Sequence, residues 1–177
     1  MEEENKKRIR SECIKLLRDV GCDEAVVEHC IAVAELALEI ALHHSHYNNS
    51  VDEKLVFRGA LLHDIGRARS HGVNHGFVGG EMAKGLGQEE KVVRIIQRHV
   101  GAGITAEEAK EKGLPPVAFV PETMEEKIVA HADNLIDGGS RTSIENAIAD
   151  LEDKLGEFHP SIKRMIRLHE EVMGRNG

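Results

Sequence analysis

The sequence predicts an all-α fold, a helical bundle, on three observations. Apolar residues recur at helical spacing along most of the chain, caps and helix breakers separate the apolar stretches, and no alternating strand pattern of useful length appears. Ile9, Cys13, Leu16, Leu17 and Val20 mark one face of a first helix, closed by Gly21. Asp23 is read as the N-cap of a long second helix with a broad stripe through Val26, Val27, Cys30, Val33, Ala34, Ala37 and Leu38. The polar run HHSHYNNS (43–50) punctuates it. Asp52 then opens a third helix through Leu55, Phe57 and Leu62, stopping near Gly66. Residues 67–75 read as a loop, followed by a fourth helix from about Phe77 to Leu86 and a fifth carrying Val92, Val93, Ile95, Ile96 and Val100. In 101–122, glycines and prolines leave only AEEAKEK helical. Thr123 and Glu126 form a capping box for a helix through Ile128, Val129 and Ala132 that ends at Gly138-Gly139. Two more helices, about 143–155 and 160–173, complete the bundle, the last with Pro160 in its first turn.

The 177 residues are read as one domain, 41% hydrophobic and 31% charged, as in ordinary globular proteins. The N-terminal MEEENKKRIR resembles no secretory signal, and no segment approaches the ~20 apolar residues of a membrane span, so a cytoplasmic protein without membrane association is expected. The net charge of −8, without a basic block, disfavours long nucleic acid. Five aromatics, Tyr47, Phe57, Phe77, Phe119 and Phe158, are too sparse for a base-stacking platform but leave a mononucleotide or dinucleotide open. Cys13, Cys22 and Cys30 lack metal-binding spacing and read as buried reduced thiols. Histidine is the unusual count, at eleven.

Several of these histidines and aspartates fall on apolar faces. His29 shares its face with Ala25, Val26, Ala32 and Val33; His99 with Val92, Ile95 and Ile96; Asp133 with Val129, Ala130 and Ile136; Asp64 follows Ala60 and Leu61. One such residue is ordinarily a satisfied core histidine or a cap. Four or five on four helices, including an adjacent His-Asp pair, are better explained by a shared metal, because unpartnered buried carboxylates cost several kcal/mol. His131 lies about 200° around an ideal helix from Asp133, so the two cannot ligate one site, and apolarity on both sides leaves the choice open. His43, His44, His46, His159 and His169 read as surface residues.

The run L61-L62-H63-D64-I65-G66, with His29 before it and Asp133 after it, resembles the HDIG form of the HD phosphohydrolase superfamily. H75-G76-F77-V78-G79-G80 is similar to a segment of its binuclear members, and His99 falls where they place another histidine. The order most resembles the bacterial HD-type hydrolases that split diadenosine tetraphosphate symmetrically, and the whole chain looks like a set of archaeal HDIG proteins. The likeness spans about 25–141, with flanking helices. Arg67 stands where the HD-type 5′-deoxynucleotidases carry Glu, and His99-Val100 where the HD-GYP cyclic-di-GMP phosphodiesterases carry His-His; both departures weaken those substrates.

The resemblance implies a first divalent metal on His29, His63, Asp64 and Asp133, choosing Asp133 over His131. It implies a second on His75 and His99, bridged by Asp64. Mixed imidazole and carboxylate donors suit Mn, Fe, Co, Ni or Zn better than Mg. Two such ions about 3.5–4 Å apart would activate a water and clamp a phosphoryl group. Arg67, Arg98 and Arg141 are the candidate phosphate-binding cations, with Arg67 equally readable as a helix-end residue. His71 is a candidate general acid, although its polar loop favours simple exposure. The segments 67–75 and 101–122 follow ligand-bearing helices and are expected to flank the metals and govern specificity. The expected function is metal-dependent hydrolysis of a small phosphate compound, a nucleotide above all. The alternatives are a degenerate nucleotide sensor, or an HD-type hydrolase or oxygenase of another substrate class. Homo-oligomerisation is left open.

Overall fold

A long helix, α2 (Glu24–His46), and a shorter one, α3 (Glu53–Leu62), pack along each other to form the centre of the computed structural model, which describes residues 1–46 and 51–174 together with their side chains, except those of Ser45 and His46. Tyr47 to Ser50 of the expected break thus lie outside the described residues. α3 is central because both of its sides are apolar: Val56, Phe57, Ala60, Leu61 and Leu62 are fully buried. It touches α1 (Glu3–Asp19), α2, α5 (Glu90–Arg98) and α7 (Met124–Asn134). Around this core lie α4 (His75–Gly85), α6 (Ala106–Glu111), α8 (Ile144–Leu155) and α9 (Pro160–Met173), the last packed on α7 and α8. Among the described residues no helix is long and apolar enough to cross a membrane.

The caps expected at Asp52 and at Thr123–Glu126 are present. The Asp52 carboxylate accepts from the Lys54 and Leu55 amides, and Thr123 and Glu126 close a reciprocal capping box. α2 begins directly after Asp23, whose backbone carbonyl accepts from Val26 and Val27. Cys13, Cys22 and Cys30 are free and buried, and burial pushes the Cys13 and Cys22 thiols up to about 11.

Four features differ from the sequence expectation. α3 ends at Leu62, short of Gly66, and a separate 3-10 turn spans Ile65–Ala68. α4 starts at His75, two residues before Phe77, so His75 stands on a helix rather than in the loop. Gly138 and Gly139, at φ 53° and 81°, form the two-residue turn of a hairpin pairing Ile136 with Arg141 and Asp137 with Ser140. The 101–122 segment is not a bare loop. Ile104 and Phe119 exchange backbone hydrogen bonds, Thr105 and Glu108 cap α6, and Ile104, Ala109 and Phe119 form a small core of their own.

Glycines allow α4 to sit unusually close to the turn after α3. A Cβ on Gly66 would lie 2.0 Å from the His75 carbonyl oxygen and 2.7 Å from the Gly79 nitrogen, and one on Gly79 would lie 2.9 Å from the Gly66 nitrogen. Backbone fills that space, so no side-chain rotation relieves the clash. Gly66→Ala is therefore expected to push α4 outward, at a cost of about 1–3 kcal/mol. The melting temperature should fall by several degrees, and His75 should move off Asp64. An unshifted melting curve for G66A would contradict this close-packing account.

Candidate metal centre

Four imidazoles and two carboxylates from five segments converge. His29 comes from α2, His63 from the end of α3, Asp64 from the residue after it, His75 from the first turn of α4, His99 from the end of α5, and Asp133 from α7. His63 and His99 are 0% and 1% exposed and form the floor. The His29, Asp133 and Arg67 side chains are 24%, 20% and 30% exposed, so the cluster opens on their side.

Three of the imidazoles are oriented by the same device. Nδ1 of His63, His75 and His99 lies 2.7, 2.8 and 2.7 Å from the carbonyl oxygen three residues earlier, of Ala60, Gly72 and Ile96. A carbonyl can only accept, so Nδ1–H donates and each Nε2 faces inward. There the Asp64 carboxylate divides two groups. Its Oδ2 lies 3.8 Å from His63 Nε2 and 4.0 Å from His29 Nε2. Its Oδ1 lies 3.1 Å from His75 Nε2 and 3.5 Å from His99 Nε2. Asp133 Oδ1 completes the first group, 2.9 Å from His29 Nε2 and 3.3 Å from His63 Nε2.

This donor set fits divalent metal. The ligand atoms of His29, His63 and Asp133 lie within 4.8 Å of one another, as do those of His63, Asp64 and His99. His63 Nε2 is fully buried, and although Asp133 is 3.3 Å away, it makes no aligned hydrogen bond. His75 and His99 point Nε2 atoms at each other across 3.0 Å. Two lone pairs at that distance repel unless a proton or a cation lies between them. A buried group of acceptors with this geometry is how a metal site is built.

The charges are strongly coupled. Burial alone would raise the Asp64 and Asp133 carboxyls, but His63 and the imidazoles bonded to them hold both well below the usual carboxylate range. Burial likewise pulls the His63 imidazole down, and Cys30, Asp133 and Asp64 outweigh it, leaving His63 well above its usual value. Burial keeps His99 below its usual value, reinforced by His63 and opposed by Asp64.

All six expected metal ligands are thus in one cluster, while the remaining candidates divide. Arg67 is at its rim, donating from Nε to Asp64 Oδ1 at 3.2 Å and from a terminal nitrogen to the His71 carbonyl at 3.0 Å. The His71 side chain is exposed, and the contact with Arg67 uses its backbone. Arg98 is not directed into the cluster: its guanidinium pairs with Glu126 at 2.9 Å and Glu122 at 2.8 Å, tying α5 to the start of α7. Arg141 pairs with Glu39 on α2. His131 is buried on the other side of α7 from the cluster, its ring 5.1 Å from that of His169, and burial pushes it down to about 4. Three of the histidines expected at the surface are half-buried: His44 contacts the Val172 carbonyl, His159 caps α9 by accepting from the Ser161 amide, and His169 packs on His131. Asn134 was not anticipated; it donates to the Gly101 carbonyl at 2.9 Å and ties the turn after His99 to the residue beside Asp133. Its position next to a candidate ligand was the available signal.

The family described as HD domain matches residues 26–137. An uncharacterised protein of Methanocaldococcus jannaschii is 56% identical over 151 residues, 85% of this chain and 89% of that protein. Two tRNA (cytidine(56)-2′-O)-methyltransferases, of Picrophilus torridus and Thermoplasma volcanium, are 38% and 40% identical over 91% and 89% of this chain. The chain spans only 45% of the length of each methyltransferase. In structure, the HD domain of the L. monocytogenes phosphodiesterase PgpH, solved with cyclic-di-AMP, superimposes with a TM-score of 0.51 at 15% identity, over 85% of this chain and 91% of that one, a likeness of fold. With the family matched over most of the chain and its His, His-Asp, Asp series folded into one cluster, this protein belongs to the HD domain family.

Proposed function

We propose that the chain is a metal-dependent phosphohydrolase acting on a nucleotide or another small phosphate compound. The observation that carries this reading is the position of Asp64, with one oxygen toward His29 and His63 and the other toward His75 and His99. Such a carboxylate serves two ligand groups at once, and favours a binuclear centre of Mn, Fe, Co, Ni or Zn. Divalent cations held there supply Lewis acidity and a water of lowered pKa at neutral pH. The protein's own part is to fix the donors, exclude water beneath His63 and His99, and leave access over His29, Asp133 and Arg67. Arg67 is the side chain placed to meet a phosphate oxygen, because its terminal nitrogens lie at the rim while Nε stays on Asp64. His71, exposed four residues on, is the candidate proton donor to a leaving group.

The reading is tested by loading the purified chain with Mn, Fe, Co or Ni and screening nucleotides and dinucleotide polyphosphates for phosphate release. Failure with every metal and substrate would leave the sensor alternative. Arg67→Ala is expected to lower kcat/KM about 10- to 100-fold, mainly through KM, with metal content intact. Loss of metal instead would make Arg67 a positioning residue for Asp64. An RNA substrate is a second reading, favoured by the tRNA methyltransferases and by segments 31–44% identical in ribonuclease Y of several bacteria. The net charge of −8 opposes it, and preferential cleavage of an RNA oligonucleotide over mononucleotides would establish it.

A further inference from the structure

Two side-chain contacts flank His99, and both end on α7, the helix that carries Asp133. One residue before His99, the Arg98 guanidinium pairs with Glu126 of α7 at 2.9 Å and with Glu122, just ahead of that helix, at 2.8 Å. Two residues after His99, the Gly101 carbonyl accepts from the Asn134 side-chain amide at 2.9 Å. Gly101 turns there through the left-handed region (φ 57°), which a residue with a side chain adopts only with strain. Glu126 stands in the first turn of α7 and Asn134 at its end, about 12 Å apart along the helix axis. One contact would leave the end of α5 free to pivot. Two contacts this far apart fix both its slide along α7 and its tilt.

These contacts are directional where the neighbouring packing is not. α5 lies on α3 through aliphatic side chains, with Ile95 filling the space over Gly59, and apolar contact has no preferred direction. The Glu126 carboxylate is 3% exposed and has definite partners: besides Arg98, it accepts from the Glu122 amide at 2.7 Å. Registration matters at His99, whose Nε2 lies 3.5 Å from Asp64 Oδ1 and 3.0 Å from His75 Nε2. His75 belongs to the same unit, because Gly76 and Gly80 bring α4 against Val100 and Gln97. Metal–ligand distances hold to about 0.2 Å, so a small slide of α5 spoils the His75–His99 group and leaves His29, His63 and Asp133 in place.

We propose that Arg98, Glu126 and Asn134 are positioning residues that register the His75–His99 ligand group against the His29–His63–Asp133 group, and so set the affinity for a second metal separately from the first. The proposal rests on the binuclear phosphohydrolase reading. It gives Arg98 a task at the centre that needs no contact with phosphate.

Titration of the metal-free full chain with Co(II) tests it, with binding followed by the visible absorption of the bound ion. The parent should take up two ions. Asn134→Ala and Arg98→Gln should each weaken the second ion about tenfold, the lower end of the range for groups that orient metal ligands, and leave the first unchanged. Arg98→Lys should bind like the parent, because one guanidinium nitrogen, Nη1, makes both carboxylate contacts and an ammonium can replace it. Asn134→Ala removes a single hydrogen bond at a helix end and should fold, as its melting curve will verify. A merely structural role would lower the melting temperature of the metal-free chain and weaken both ions alike, or neither. Equal weakening of both ions, a second ion bound as tightly by Asn134→Ala and Arg98→Gln as by the parent, or a loss in Arg98→Lys equal to that in Arg98→Gln overturns the proposal. The last two outcomes, in a parent that binds two ions, leave the binuclear reading standing; a parent that binds only one ion overturns that reading and the positioning role with it.

Discussion

His63→Ala and Asp64→Asn are each expected to abolish metal retention and reduce hydrolysis by well over 100-fold. Losing a group that merely supports a metal ligand typically costs 10–100-fold, and these two are proposed ligands. His63 is 0% exposed, with Nδ1 fixed by Ala60, so no solvent molecule replaces its Nε2 without rearrangement. Asp64→Asn keeps the shape of the side chain and removes the charge, separating electrostatics from packing. It should weaken both ligand groups together, because the Asp64 oxygens face both. Metal measured by elemental analysis and helix content by circular dichroism are the readouts. A folded variant of either kind with full metal and full activity would overturn the assignment of the centre.

Removing metal with a chelator is expected to lower the melting temperature by roughly 8–16 °C. A ligand at about 1,000 times its Kd adds about 4 kcal/mol to stability, and for a chain of this size 1 kcal/mol corresponds to about 2–4 °C. The pH dependence has a definite sign. Without metal, the raised pKa of His63 contributes stability that is complete below its unfolded value of about 6.5 and is lost as pH rises through the higher folded value. The lowered carboxyls of Asp64 and Asp133 act oppositely, contributing above about 3.9 and losing that contribution as pH falls toward their folded values. Metal must displace the His63 proton, so the gap between loaded and chelated melting temperatures should widen from pH 6 to pH 8. A constant gap would mean that His63 is not displaced from its proton by metal.

The bundle was legible because helices with one buried face write their period into the sequence, as α1 and α5 do. The centre was legible because His29, Asp64, His99 and Asp133 break that period with ionisable groups. What escaped was short or distant. The hairpin around Gly138-Gly139 has two-residue strands, too brief for an alternating pattern. The start of α4 at His75 is hidden in the sequence because Gly76, Gly79 and Gly80 are poor helix formers, and their reason for being there, contact with the Gly66 turn and with α5, is tertiary. Arg98 and Arg141 read from the sequence as candidate phosphate-binding cations, yet their partners, Glu126 and Glu39, are 28 and 102 residues away. Nor could local pattern show that Ile104 and Phe119 pair to give the 101–122 segment a core. His131 illustrates the limit within one helix: the period put it opposite Asp133 but could not supply His169, 38 positions later, as its neighbour.

The most direct test of the central claim is the number of metal ions per chain, measured by elemental analysis after loading with Mn, Fe, Co, Ni or Zn and removal of excess, for the parent protein and for Asp64→Asn. The two-group geometry around Asp64 predicts close to two ions per chain in the parent and a loss at both groups in the variant. A parent chain that retains no metal under any of these conditions, or a variant that retains as much as the parent, would contradict it.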